Sequence, residues 1–250
     1  MDLDLRDKVA LVTGAGSGIG EQTALLFAEE GAKVAVNDIS FDSAQKVVGE
    51  IEKKGGNAIA IKANVASFTE VSQVVEEILE TFGKVDILVN NAGIYPAKPI
   101  QEMDEEEFDM VINVDLKGVY NCTRAVVNHM IERCYGRIVS LSSVAGRVGS
   151  VANVSHYAAA KAGVLGFTKS IARELARFNI NANAVVPGVV DTPLLGKSRD
   201  ILMEKVIKTN PIPRLAESRE IANVIVFLAS DAASYMTGSV VTVDGGYTMA

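Results

Sequence analysis

Two groups of residues in this chain have the types and spacing to do chemistry. In SHYAAAKAGVLGFTKS, residues 155–170, Tyr157 and Lys161 stand four apart among small and apolar residues. On an α-helix that spacing sets a phenol and an ammonium, a proton donor and a cation, on one face. The plain alternative is a surface helix whose tyrosine and lysine are chance neighbours, so the pair takes its meaning from the rest of the chain. The second group is the turn in VTGAGSGIGEQTALLFAEEG, residues 12–31, which carries Gly14, Gly16, Gly18 and Gly20. Glycines let a backbone approach a pyrophosphate, and the free N–H groups and dipole of a helix start favour its negative charge. Counted from Gly14, Ile19 stands where G-x-G-x-x-G needs its last glycine, whereas G-x-x-x-G-x-G fits through Gly14, Gly18 and Gly20. Asp38 follows 18 residues past Gly20, at the end of the next β-branched run. An acid there can accept from the hydroxyls of a ribose. A tight strand–helix connection and a solvated loop acid are the plain readings of these features taken singly. Together they indicate dinucleotide binding.

Such groups need a frame to hold them. Short β-branched runs at 9–14, 33–38, 58–62, 85–91, 137–143, 180–188 and 240–246 alternate with helical patterns at 19–30, 43–54, 69–82, 105–133, 154–178 and 218–230. Most of the runs are apolar on both faces, as in a parallel sheet covered by helices on each side. Gly31 and Gly83 sit where glycines end helices. The rhythm predicts an α/β doubly wound sheet with ligands at the carboxyl ends of its strands. No linker, repeat or low-complexity tract interrupts residues 1–250, which predicts one domain.

Composition narrows the function classes. The net charge of −7, with no basic run, argues against nucleic acid and against docking on anionic lipid. No apolar run approaches the roughly 18 residues that span a bilayer, and the first residues lack the pattern of a secretory signal. The two cysteines, Cys122 and Cys134, have no partners at zinc-ligand spacing, so no metal site is expected and a reduced, cytoplasmic setting is. His129 and His156 read as surface or helix-packing residues.

With TGAGSGIG (13–20), NNAG (90–93), Asn113, Ser143, YAAAK (157–161) and PGVVDT (187–192) in this order, the chain resembles the short-chain dehydrogenase/reductase family over nearly its whole length. The resemblance implies a single Rossmann-like domain with a seven-stranded parallel sheet, in agreement with the seven runs above. It implies that Tyr157 is a general acid/base, Lys161 its partner and a holder of the nicotinamide ribose, and Ser143 the donor to the substrate oxygen, with Ser142 as the neighbouring alternative. A free phenol has a pKa near 10, and an ammonium on the same face favours the phenolate. Asn113 matches the asparagine that bends a helix and links the lysine to water; a buried amide packing a helix kink is its plain reading. Cofactor contacts carried over are Ser17, Ile19, Val65, Asn90, Ala92, Gly93, Pro187, Gly188, Val190 and Thr192, besides the glycines and Asp38. Asn64 departs from the acid common before Val65, though its amide oxygen can accept the same hydrogen bond.

Asp38 would repel a 2′-phosphate, and Ser17 stands where phosphate-preferring relatives carry a cation, so NAD is expected over NADP. The segment 189–217 reads as a substrate lid, with Leu194, Leu195, Leu202, Met203, Val206 and Ile207 toward an apolar pocket, and the resemblance implies that Tyr95 and Pro96 lie close to the site. A short packed amphipathic helix is the plain alternative. The expected substrate is a fairly apolar secondary alcohol or ketone. The alternative is a 3-oxoacyl thioester bound to coenzyme A or a carrier protein, which would need a basic landing surface; Arg124, Arg133, Arg137 and Arg177 are its candidate members. A non-catalytic NAD-binding sensor is the reading from another class. The helices 105–133 and 154–178 and the tail 238–250 predict a homotetramer.

Overall fold

The computed structural model describes residues 3–150 and 152–249. Its strands are β1 (Val9–Thr13), β2 (Lys33–Asp38), β3 (Asn57–Lys62), β4 (Ile87–Asn90), β5 (Gly136–Leu141), β6 (Ile180–Pro187) and β7 (Val240–Val243). They form one seven-stranded parallel sheet in the order β3-β2-β1-β4-β5-β6-β7. Around it run α1 (Gly18–Glu29), α2 (Phe41–Lys53), α3 (Phe68–Phe82), α4 (Glu105–Ile112), α5 (Gly118–Arg133), the single-turn α6 (Ala145–Val148), α7 (Ser155–Leu175), α8 (Arg199–Thr209) and α9 (Ser218–Leu228). The chain winds outward from β1 to β3, then returns to β4 on the other side of β1. That reversal opens a crevice at the carboxyl ends of β1 and β4.

Every residue of β1 and β5 is buried. Alternate residues feed two cores. Ala10, Val12, Val34, Val36, Val139 and Val185 pack toward α1, α2 and α9, while Val9, Leu11, Leu88, Ile138 and Ala182 pack toward α3, α5 and α7. The side chains of Ser40, Ser67 and Asp104 accept from the backbone N–H three residues on, which starts α2 and α3 one to two residues before the predicted positions. Gly83 ends α3 at φ +78°.

The predicted uninterrupted helix 105–133 is instead α4 and α5 joined by a π-turn at Asn113–Lys117. Such turns occur where a helix must carry one residue more than its hydrogen bonding allows, often at functional sites. The predicted helix 154–178 closes at Leu175, with a 3₁₀ turn over Ala176–Phe178. At the amino-terminal ends of the strands, the buried Asp86 carboxylate accepts from Val9 N and pairs with Lys84 and Arg133, each at 2.9 Å. Arg137 is buried too, 2.7 Å from Asp231. Two of the four arginines considered for a landing surface are thus spent on carboxylates, away from the crevice. Among the described residues no helix is long and apolar enough to cross a membrane.

Candidate active site

The crevice begins where β1 turns into α1. Gly14 adopts φ +60°, and a Cβ there would stand 2.7 Å from Ala92 Cα. A Cβ on Gly20 would strike the Gly14 carbonyl and Asn91. The glycines are therefore required by close approach of the NNAG segment as well as by curvature. Asn91 fixes that approach by donating to Thr13 O and Gly14 O at 2.9 Å each. Ser17, at the N-cap of α1, makes no side-chain cap bond, so the helix start faces the cleft with its N–H groups.

Gly14, Ser17, Gly18, Ile19 and Asp38 line one wall of this cleft; Asn64, Val65, Ala92 and Gly93 line the other, and Thr192 and Leu194 close it. Asp38 binds Gly16 N through one carboxylate oxygen and Ser40 N through the other, each at 2.9 Å. Each oxygen keeps a lone pair for a ligand hydroxyl. Asn64 already accepts from Ala66 N at 3.0 Å. A row of helix-start N–H groups for a pyrophosphate, followed by an acid for a ribose, fits a dinucleotide. Asn90 is not part of this wall. It is buried beneath it, its amide donating to Thr123 Oγ1 and Ser140 Oγ, and its neighbour Asn91 takes the place the sequence assigned to it.

Ile19, Asn91, Gly93, Thr192 and Leu194 also border a second pocket, continuous with the first. Its floor is Tyr157, Lys161, Ser143 and Asp115; Pro187, Gly188 and Val190 form its β6 side. Tyr157 and Lys161 share one face of α7 and are 8 % and 3 % exposed. Lys161 Nζ donates to Leu141 O at 3.1 Å, so the last residue of β5 anchors it 5.5 Å from the centre of the Tyr157 ring. Tyr95 packs edge-on against that ring at 4.9 Å. Burial holds the Tyr157 phenol above its ordinary pKa; Lys161 and a hydrogen bond from Ser143 oppose this without reversing it, and Asp115 adds to the rise. Lys161 thus pulls the phenol toward phenolate, as its place on the same face predicts, and burial pulls harder the other way. The two serines separate cleanly. Ser142 Oγ is committed to the Lys161 carbonyl at 2.7 Å, whereas half-buried Ser143 accepts from Ala145 N and turns its hydroxyl toward Tyr157 in the pocket.

Asn113 opens the π-turn, as a helix-bending residue would, but the group that reaches Lys161 is Asp115. Asp115 is fully buried, with Oδ2 3.2 Å from Lys161 Nζ and Oδ1 accepting from Ile94 N at 2.9 Å. Burial works against the Lys161 ammonium, but Asp115 and Tyr157 outweigh it and raise the lysine's pKa. The sequence held a signal for Asp115: a lone acid between Val114 and Leu116 in an apolar stretch.

The segment 189–217 forms the outer wall. Its ends are clasped where Asp191 N donates to Ala216 O and Ala216 N to Val189 O. Leu194, Leu195, Leu202 and Val206 line the pocket, but Met203 and Ile207 face outward, 37 % and 49 % exposed. Half-buried Lys205 joins the lining, a cation that the sequence did not assign to the pocket. His156 is buried on α7, and Val85 N donates to His129 Nε2, so both histidines are packing residues. Burial pushes the Cys122 thiol up to about 12.

Comparison with known proteins agrees with this geometry. The family model described as enoyl-(acyl carrier protein) reductase matches residues 14–248. The 3-oxoacyl-[acyl-carrier-protein] reductase of Thermotoga maritima is 46 % identical over 242 residues, 97 % of this chain and 98 % of the relative. The (2S)-[(R)-hydroxy(phenyl)methyl]succinyl-CoA dehydrogenase subunit of Thauera aromatica is 39 % identical, with 99 % of each chain covered. A crystal structure of a short-chain type dehydrogenase/reductase from Mycobacterium marinum superimposes with a TM-score of 0.96 at 36 % identity, covering 100 % of this chain and 98 % of the other. That of the 3-oxoacyl-[acyl-carrier protein] reductase from Brucella melitensis gives 0.93 at 34 %, covering 100 % and 95 %. With a glycine-turn cleft and a tyrosine–lysine pair on this sheet, the chain belongs to the short-chain dehydrogenase/reductase family and is an oxidoreductase acting on CH–OH groups.

Proposed function

We propose that this enzyme interconverts a 3-oxoacyl and a 3-hydroxyacyl thioester with a nicotinamide dinucleotide, Tyr157 exchanging the proton. The observation that carries the reading is the position of Tyr157 and Ser143 where the dinucleotide cleft meets an apolar pocket. The names of the family model, of the Thermotoga and Thauera relatives and of the Brucella structure favour a thioester over the simple ketone expected from sequence, since each names an acyl carrier protein or a coenzyme A thioester. Lys205 on the pocket wall, without a carboxylate partner among the described residues, supplies a cation for an anionic carrier.

The bound nicotinamide supplies the hydride. Ser143 donates to the substrate carbonyl oxygen, and Tyr157 gives its proton to the same oxygen, so the Tyr157 O–H bond breaks as the product O–H forms. Lys161 stabilises the phenolate left behind, and proton uptake from water restores the phenol. The apolar wall of Leu194, Leu195, Leu202 and Val206 excludes water and receives the acyl chain. Asp38, with Ser17 uncharged beside it, supports NAD(H) over NADP(H).

The apolar wall also suits a plain secondary alcohol or ketone, which is the second reading. Initial rates would be measured with 3-oxoacyl-coenzyme A, 3-oxoacyl carrier protein, an enoyl thioester and simple ketones, each with both reduced cofactors. The proposal expects the highest kcat/KM with a 3-oxoacyl thioester. A simple ketone that outperforms every thioester would replace it with the second reading.

A further inference from the structure

Asp115 is the one group of the pocket floor for which the proton transfer just described has no use. It is fully buried, comes from the π-turn rather than from α7, and reaches Lys161 from the side. Its Oδ1 is satisfied by Ile94 N, whereas Oδ2 makes no hydrogen bond and has only the Lys161 ammonium at 3.2 Å. Burial raises the pKa of the Asp115 carboxyl, while Lys161 and the Ile94 N–H oppose the rise; a carboxylate so costly to bury persists only against a fixed cation. The site is built closely round it: a Cβ on Gly93 would stand 2.8 Å from Asp115 Oδ2 and 3.4 Å from Lys161 Nζ.

We propose that Asp115 is a positioning residue whose negative charge shares the Lys161 ammonium with Tyr157, so that Tyr157 stands ready as a proton donor and the site is set for carbonyl reduction. The inference rests on the reading of Tyr157 as the proton-exchanging group. A lone ammonium beside a phenol pulls it toward phenolate. An ammonium already facing a carboxylate pulls far less, because in a medium of low dielectric the two charges largely cancel at the third group. Burial is the main cause of the raised phenol; Lys161 opposes it, and Asp115 adds to the rise in the direction proposed. The other ionisable groups facing the site are buried His156 on α7, Tyr95 after β4, Lys205 on α8 and Tyr247 near the end of the chain. Of these Tyr95 acts in the same direction as Asp115 but more weakly, while His156 and Lys205 can add only positive charge. A protonated His156 would weaken Asp115 and a charged Lys205 would favour the phenolate, so neither produces the effect assigned to Asp115.

The test needs neither substrate nor cofactor. Tyrosinate absorbance is followed through an alkaline titration of the full chain, and the trace of Tyr157→Phe is subtracted to isolate Tyr157. Asp115→Asn keeps an acceptor for Ile94 N and removes the charge; Asp115→Ser removes the charge with a smaller side chain, and circular dichroism checks both folds. The midpoint of Tyr157 is expected to fall by about one pH unit in each variant. Where turnover is measurable, the rising limb of alcohol oxidation against pH should move the same way. An unchanged midpoint would make Asp115 a neutral or merely structural group, and a rise would mean that its role is only to hold Lys161 in place; either overturns the proposal. Because the titration involves no reaction, a wrong choice of substrate leaves its outcome intact.

Discussion

At the scale of single residues, the site separates groups that are neighbours in sequence. Ser142 is spent on the α7 backbone while Ser143 faces the pocket, and Asn90 is buried beneath the cleft while Asn91 borders it. Tyr157→Phe keeps the ring and its packing against Tyr95 and removes only the exchangeable proton. Turnover should fall at least about 100-fold, with the dissociation constant of the cofactor changing less than about threefold. A loss under about tenfold by steady-state assay would remove Tyr157 from the proton transfer. For the cofactor, Asp38→Ser with Ser17→Arg should move the NADH/NADPH ratio of kcat/KM toward NADPH by about 30-fold or more. Asp38 also clamps Gly16 N and Ser40 N, so Asp38→Ser alone should weaken both cofactors before it discriminates between them. A double variant whose ratio equals that of wild type would leave Asp38 with the clamp as its only role.

At the scale of elements, the glycine turn and the NNAG segment depend on each other. Gly14→Ala combines an unfavourable φ with a Cβ 2.7 Å from the Ala92 backbone, which must move. The expected result is a Tm lowered by several degrees and a cofactor dissociation constant raised at least about tenfold, read by calorimetry and by titration of bound-cofactor fluorescence. An unaltered Tm would show that the two segments are not in this register. Much at this scale was legible in the sequence. The seven strands and the long helices follow from periodicity and capping residues, with ends displaced by up to three residues. The π-turn was not, because Asn113–Lys117 carries an ordinary helical pattern and its wider ring answers the packing of α7 against it.

At the scale of the whole molecule, α4 and α5 leave Phe108, Met110 and Tyr120 exposed, and Tyr120 packs against Phe167 of α7 at 6.5 Å. β7 is an edge strand, followed by the exposed Tyr247 and Met249. We expect a closed homotetramer in which the helical face and the β7 edge each pair about a two-fold axis. Light scattering at micromolar concentration should report four chains, and Tyr120→Glu with Met110→Glu should leave dimers. A monomeric wild type would refute the assembly.

The sequence by itself determined the doubly wound sheet, the glycine-rich turn with Asp38 at the end of the next strand, and the tyrosine–lysine pair on one helical face, because each depends on spacings within a strand, a turn or a helix. Only the tertiary structure decided that Asp115 pairs with Lys161, that Ser143 rather than Ser142 faces the pocket, and that Arg133 and Arg137 are spent on Asp86 and Asp231. These partners lie tens of residues apart. Which buried polar group finds which depends on strand register and on a single π-turn, and no local periodicity encodes either.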